Sequence, residues 1–382
     1  MTRFLFVVLP LAGHINAPLA VAEALRRAGH DVAWCGPESY LRPLVGPDAA
    51  VHPTGSRYYP EQDGHGPEAL RFVWESYLVP MARFTLAKVE RAVAAYQPDV
   101  IVADQHAFAG ALVALRHGRP WATLAPSALE LTRGPDADDL AKPHLDRLRE
   151  KAGLPPGPVA EILFSPHLVL AFTTKALLGS TRLPQSCVPV GPAHGRGPAY
   201  DGFDWDWFDP DRQHVLITVG TLADGVDRAF FGTAVRALAD LGDRLQAVLI
   251  APAAAVPDPP PHILVTGRVP TLRMMPQLHA VVAHGGMGIV GEALANGVPL
   301  VIAPIRYDQP AVADLVAAAG AGVRVPFLGL TADELRTAVT TVLDDPAYRT
   351  GARRVGDSFP AAGGAAAAVR HLEQLPRGTV RR

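Results

Sequence analysis

Ala280-Val281-Val282-Ala283-His284-Gly285-Gly286-Met287-Gly288-Ile289-Val290-Gly291-Glu292-Ala293-Leu294 is the stretch that decides the fold. The apolar run Ala280–Ala283 reads as a parallel strand buried on both faces. The glycines that follow read as a tight turn, and the residues after them as a helix. A strand, turn and helix in that order aim free backbone N–H groups and the positive end of a helix dipole beyond the carboxyl end of the strand. The natural guest there is an anion. His284 adds a donor that can carry positive charge, and Glu292, about one turn into the helix, puts a carboxylate within reach of hydroxyl groups. The next unit runs through Gly297-Val298-Pro299 and closes on Tyr307-Asp308-Gln309, an acceptor beside an amide.

The same alternation extends outward. Upstream lie strand His214–Val219, the turn Gly220-Thr221, helix Arg228–Leu241, strands Gln246–Ile250 and His262–Val265, and helix Thr271–Leu278. Downstream lie strand Leu300–Ala303, helix Val312–Ala319, strand Val323–Val325, helix Ala332–Leu343 and a tail helix Ala361–Leu372. The N-terminal half repeats the theme with strands Phe4–Leu9, Asp31–Cys35, Val100–Ala103, Trp121–Leu124, Leu168–Phe172 and Val188–Val190. Its helices are Ala17–Ala28, Leu86–Tyr96 and Phe108–His117. Residues 51–70 read as a long polar loop, and 131–160 as loop with a short helix. Alternating β and α with buried apolar strands implies α/β architecture with parallel, doubly wound sheets. Residues 191–212 break the pattern with a Gly/Pro run and Asp204-Trp205-Asp206-Trp207, a flexible aromatic connector. The expected division is an N-terminal lobe 1–195, a linker 196–212, a second lobe 213–360 and a C-terminal segment 361–382.

A chain of 382 residues, 49% of them hydrophobic, is long enough for two domains with sizeable cores. A net charge of −2 argues against a nucleic-acid partner. Cys35 and Cys187 make neither a disulfide framework nor a metal spacing, so a reduced, cytoplasmic setting is expected. Phe4–Leu9 mimics the start of a signal peptide, but Pro10, Gly13 and His14 break the run, and it reads as a first strand. No apolar stretch approaches the roughly 20 residues of a membrane span.

Ligands of doubly wound sheets bind beyond the carboxyl ends of the strands. Gly13-His14 falls there after the first strand, and Asp104 ends the strand Val100–Ala103. An imidazole suits proton abstraction near neutral pH, and a carboxylate can fix its tautomer. From position alone, His14 is equally a helix-start histidine without chemistry and Asp104 a cap for the helix from Phe108. Asp204-x-Asp206 offers two carboxylates in a Trp-rich linker rather than after a strand, a poor place for a metal. His52, His65, His106, His117, His167, His194, His262, His279 and His371 show no clustered ligand spacing and read as surface or loop residues. No metal site is expected. Tyr58, Tyr59, Phe72, Trp74, Tyr77 and Phe84 cluster in or after the long loop, either lining a pocket for a flat, greasy ligand or packing a helical hairpin.

The ordered set His284-x-Gly286, Glu292-Ala293, Gly297-Val298-Pro299 and Asp308-Gln309 resembles the donor signature of family 1 glycosyltransferases, the UDP-glycosyltransferase superfamily. These are inverting enzymes of two-lobed GT-B fold, in which two Rossmann-like lobes face each other across a cleft. The one departure is Ile289, where the family has Ser or Thr; its backbone amide survives the change. The resemblance implies a bacterial natural-product hexosyltransferase that needs no resident cofactor and takes a nucleotide-diphosphate sugar as co-substrate. His284, Gly286, Gly288, Ile289, Gly220 and Thr221 would meet the diphosphate. Glu292 would meet the ribose, Arg268 and Val269 the base, and Asp308 and Gln309 the sugar. His14 would be the base and Asp104 its partner, and the aromatic cluster would line the acceptor pocket. A carboxylate facing two ribose hydroxyls favours UDP over dTDP. Val102-Ala103-Asp104-Gln105 and Tyr307-Asp308-Gln309-Pro310 look closer to carotenoid-type and macrolide-type bacterial members than to plant ones, which points to a lipophilic small-molecule acceptor. The tail helix commonly crosses back to the first lobe in this fold. A GT-B epimerase or hydrolase and a non-catalytic nucleotide-sugar-binding partner stay open, as do the acceptor, O- versus N-transfer, and the oligomeric state, a homodimer included. A nicotinamide dehydrogenase lacks its glycine fingerprint after the first strand.

Overall fold

The computed structural model describes residues 1–57, 66–133, 141–193, 202–220 and 227–378. Among them, thirteen strands form two sheets in which every pairing is parallel. The first sheet holds β1 (Arg3–Val7), β2 (Asp31–Gly36), β3 (Ala50–Pro53), β4 (Val100–Asp104), β5 (Trp121–Ala125), β6 (Val169–Ala171) and β7 (Cys187–Pro189), in the order β3-β2-β1-β4-β5-β6-β7. The second holds β8 (Gln213–Thr218), β9 (Leu245–Ile250), β10 (Ile263–Thr266), β11 (Ala280–Ala283), β12 (Leu300–Ile302) and β13 (Gly322–Arg324), in the order β10-β9-β8-β11-β12-β13. Parallel strands need crossover helices that cover both faces, so the central strands are mostly apolar. Phe4, Leu5 and Phe6 of β1 and all four residues of β11 are wholly buried.

In both sheets the chain builds outward on one side and then returns to build on the other. That reversal leaves a topological switch between β1 and β4 and another between β8 and β11, where the loops diverge and open a crevice. In register, Val7 lies beside Ala103 and Thr218 beside Ala283. His14 and Asp104 therefore follow one switch, and Gly220 and His284 the other.

The chain divides into two compact units, residues 1–175, 180–195 and 359–382 in one and 176–179 and 196–358 in the other. The C-terminal segment belongs to the first unit. Its helix Gly364–Leu372 packs on helix Ala12–Arg27, Gly364 N–H donates to Val190 O at 2.6 Å, and His30 pairs with Glu373 at 2.8 Å. The tail is not one helix: Gly363 and Gly364, both at positive φ, separate Ser358–Ala362 from Gly364–Leu372.

Other differences have local causes. Helix Ala12–Arg27 begins five residues ahead of the expected Ala17, so Gly13-His14 lies in its first turn, with Pro18 inside the helix at the cost of one backbone bond. Residues 51–70 are not all loop: β3 pairs with β2, and a helical run begins at Gly66. That run passes through a π-helical turn, Trp74–Leu78, into helix Val79–Tyr96. The connector is not loose over its aromatic part. Asp204 caps a short turn, Trp205–Trp207; Arg273 lies over Trp205 at 5.3 Å, and Phe208 packs on His214. No helix of the described residues is long and apolar enough to cross a membrane.

Candidate functional site

In the first unit, His14 Nδ1 lies 2.8 Å from Asp104 Oδ2. The Asp104 side chain is fully buried, while the imidazole keeps 15% of its surface exposed. A carboxylate oxygen only accepts, so Nδ1 carries the hydrogen and Nε2 is the basic nitrogen. The cap alternative for Asp104 fails: the helix Phe108–Arg116 starts from Ala107 without a side-chain cap. Instead, Asp104 Oδ1 accepts the His106 backbone N–H at 2.9 Å, which fixes both oxygens.

The sequence reading missed a second pair beside the first. His106 sits in the turn after β4, where its Nε2 meets Glu130 Oε1 at 2.8 Å and its ring centroid lies 4.8 Å from that of His14. Glu130 also accepts from the Gln105 amide, and Gln105 in turn receives the Ser127 N–H at 3.1 Å. Burial pushes the Glu130 carboxyl up, but the charge and hydrogen bond of His106, a backbone N–H and the more distant His14 outweigh it and hold it below its usual range. Linear spacing does not join residues 106 and 130; the pairing of β4 with β5, which sets the following loops side by side, does.

Two of the four described residues of the expected aromatic wall are core. Trp74 and Tyr77 are each 1% exposed. Trp74 stacks on Phe108 at 5.2 Å, and Phe108 meets the edge of His106 at 6.3 Å. Trp74 thus backs the His106 imidazole through Phe108, and both Trp74 and Tyr77 lie in the π-helical turn. Burial first, then Tyr40 and Asp104, push the Tyr77 hydroxyl up to about 12. Phe72 is half-buried and Phe84 exposed, with Lys88 Nζ 3.3 Å from the Phe84 ring centroid. Tyr58 and Tyr59 lie outside the described residues.

In the second unit, His284 follows β11 between two glycines. A Cβ on Gly220 would lie 2.6 Å from its Cε1, and one on Gly286 would lie 2.7 Å from its Nε2. These glycines first make room for the imidazole. His284 is a neutral donor rather than a cation: burial, with the nearby Arg306 charge, lowers its pKa to about 4 against a small opposing effect of the Thr218 backbone. The helix Met287–Ala295 begins at Gly286 without a side-chain cap, so its first N–H groups face outward with its dipole. A Cβ on Gly288 would meet nothing within 4 Å, which leaves that approach open, and Ile289 beside it is half-buried.

Glu292, five residues into this helix, receives a hydrogen bond from the Thr271 side chain, and burial raises its pKa. Arg268 is exposed, whereas Val269 is 7% exposed and packs inward, leaving only its backbone for a base. Asp308 precedes the helix Gln309–Ala318 without capping it, and Tyr307 before it holds φ 60°, a strained setting for a bulky residue. Gln309 is 5% exposed, and its Oε1 accepts the N–H groups of Ile305 and Arg306 at 2.8 and 2.9 Å. That oxygen braces the loop, which leaves the amide nitrogen as the group a sugar could meet. Arg306, 8% exposed, is the cation that reading missed. Thr221 lies outside the described residues.

Residues 237–375 match the family described as Erythromycin biosynthesis protein CIII-like, C-terminal domain. The chain is similar over 98% of its length to the elloramycin glycosyltransferase ElmGT of Streptomyces olivaceus, 30% identical and matched over 98% of that protein. The chain belongs to the bacterial natural-product glycosyltransferases. This glycosyltransferase is also similar to the 4'-demethylrebeccamycin synthase of Lentzea aerocolonigenes, 28% identical over 98% of this chain and 99% of that one. It shares its GT-B fold with the spinosyn rhamnosyltransferase SpnG complexed with thymidine diphosphate, at TM-score 0.77 and 24% identity, over 98% of this chain and all of the other.

One grouping among the described residues of this glycosyltransferase has the spacing to hold a metal: His14, Asp104 and His106, with ligand atoms within 4.8 Å of one another. All three already make hydrogen bonds, His14 to Asp104, Asp104 to the His106 N–H, and His106 to Glu130. Asp204, the other suspect, caps its own turn by accepting from Asp206 N–H at 3.1 Å.

Proposed function

We propose that this glycosyltransferase inverts the anomeric centre of a nucleotide-diphosphate hexose and transfers the sugar, without a metal, to a hydroxyl of a lipophilic small molecule. His14 Nε2 takes the acceptor proton as the oxygen forms its bond to the anomeric carbon. The bond from that carbon to the diphosphate breaks, and the electron pair leaves with the nucleotide. Asp104 holds the imidazole and faces the positive charge it gains. In the second unit the amides that open helix Met287–Ala295, the neutral His284 and Arg306 meet the charge that builds on the leaving diphosphate. That is the work a divalent ion performs in other designs. Asp308 meets sugar hydroxyls. Glu292, beside the Thr271 hydroxyl, suits a ribose with two hydroxyls and so UDP, while the related SpnG structure holds a deoxyribonucleotide.

The observation that carries this reading is the 2.8 Å contact of His14 with a buried Asp104 at the β1/β4 switch. His14→Ala should lower kcat by about 10²–10⁴ while nucleotide affinity, read by calorimetry, is kept. The wild-type enzyme should work in EDTA, give product of inverted anomeric configuration by NMR, and prefer UDP- to dTDP-sugars in competition. Unchanged kcat in His14→Ala removes the base, and loss of activity in EDTA that a divalent metal restores removes metal independence.

A further inference from the structure

Glu292 is a carboxylate short of donors. It is half-buried on the helix Met287–Ala295, and burial pushes its carboxyl above the usual range. Among the described residues no charged side chain acts on it, and the Thr271 hydroxyl is the one group that donates to it. An ionised carboxylate has about four acceptor positions, so most of them are open to donors from a ligand. The space for a ligand is beside it. Gly288 lies four residues before Glu292 and so on the same face of the helix, one turn nearer its start. A Cβ on Gly288 would meet nothing within 4 Å, so that face is open. Helical side chains lean towards the N-terminus, which carries the carboxylate to this space, one turn from the amides that open the helix.

Thr271 holds that carboxylate from a different element. It begins the short helix Thr271–Met274, and its backbone N–H donates to Val269 O at 3.0 Å, which closes the turn after β10. Its hydroxyl is its remaining donor, and Glu292 receives it. A β-branched side chain on a closed turn has few rotamers, so the hydroxyl is a fixed point. A glutamate side chain without such a point has its rotamer freedom to lose when a ligand arrives. We propose that Thr271 is a positioning residue of the donor site: it pins one oxygen of Glu292 so that the open acceptor positions face the hydroxyls of a ribose, and it thereby sets how strongly the site prefers a ribonucleotide to a nucleotide without those hydroxyls. Thr271 acts through Glu292 and does not itself touch the nucleotide.

This inference rests on the reading of the second unit as a nucleotide-sugar site, and its test keeps the two apart. UDP and its 2′,3′-dideoxy analogue differ only in the ribose hydroxyls. Calorimetry, which needs no turnover, should give the wild-type enzyme a Kd for UDP about tenfold or more below that for the analogue, as expected of hydrogen bonds to a charged acceptor. Thr271→Val keeps the shape and branching of the side chain and removes the hydroxyl. It should narrow the ratio by about threefold or more, because UDP must then order the carboxylate as it binds, while affinity for the analogue, which makes no use of the carboxylate, is kept. Thr271→Ser, which keeps the hydroxyl, should hold the wild-type ratio. A Thr271 that only packs the turn would change both affinities alike and leave the ratio standing in Thr271→Val. The proposal falls if Thr271→Val keeps the wild-type ratio, or if Thr271→Ser loses it as Thr271→Val does. A wild-type ratio of one would remove Glu292 from the ribose and this inference with it. Failure of the wild-type enzyme to bind UDP, dTDP or the analogue would overturn the nucleotide-sugar reading itself.

Discussion

The glycines around His284 illustrate how a residue's role is set by what it must not have. Gly286 has an ordinary backbone conformation, φ −64° and ψ 135°, so nothing in its own torsions demands glycine. The demand comes from the imidazole 2.7 Å from where a Cβ would lie. Gly288, two residues on, faces open space and sits in a helix, where alanine is the better former by about 0.5–1 kcal/mol. The two substitutions should therefore diverge. Gly286→Ala should force His284 aside, lower the unfolding temperature and weaken nucleotide affinity by about tenfold in calorimetry, the loss of about one good hydrogen bond. Gly288→Ala should raise the unfolding temperature. Equal effects of the two on unfolding temperature would remove the steric argument.

At the scale of the element, Gln309 links the loop after β12 to the helix that follows. Its buried Oε1 serves two backbone N–H groups at once. Removing it leaves both without an acceptor in a site where water is scarce, at about 1–3 kcal/mol each. Gln309→Leu should lower the stability of the second unit in urea by about 2–4 kcal/mol, and Gln309→Glu, which keeps an acceptor, by less; equal losses would deny the brace. This double duty also marks where reading from sequence stops. An Asp-Gln pair at the end of a strand-loop unit says that polar groups collect there, but which atom faces the loop and which a ligand depends on Ile305 and Arg306 folding back. The strands around the switches were legible because residues buried on both faces form apolar runs, as in Ala280–Ala283 and Val100–Asp104. Edge strand β3, Ala-Val-His-Pro, was not, since an edge carries polar residues and Pro. The helical run from Gly66 was obscured by polar residues ahead of it, and with it the burial of Trp74 and Tyr77. His14 with Asp104 was legible because both follow strand ends; His106 with Glu130 was not, because their meeting depends on two loops after paired strands.

At the scale of the whole molecule, the two units carry separate burdens, and acid should reveal it. His284 has a pKa near 4 in the folded second unit against 6.5 for an ordinary histidine. Between those values the unfolded chain binds a proton that the folded unit refuses, so unfolding takes up protons and stability falls as pH drops from 6.5 towards 4. Above pH 6.5 both states are neutral at this site and the effect is gone. With the ring's Nδ1 sealed but the residue only half-buried, the loss is on the order of 2 kcal/mol. His279, in the same unit, shifts the same way through its burial and the charges of Arg349 and His214, so the His284 share must be read as a difference. The thermal transition of the second unit should fall more steeply between pH 6.5 and 4.5 in the wild-type protein than in His284→Gln, and the two should run parallel above pH 7. A first-unit transition that moves little with this substitution would place the effect where Gly220 and Gly286 enclose the ring. Identical acid slopes in the two proteins would mean that His284 is protonated as readily inside the fold as outside it, and the diphosphate would then meet a cation rather than a neutral donor.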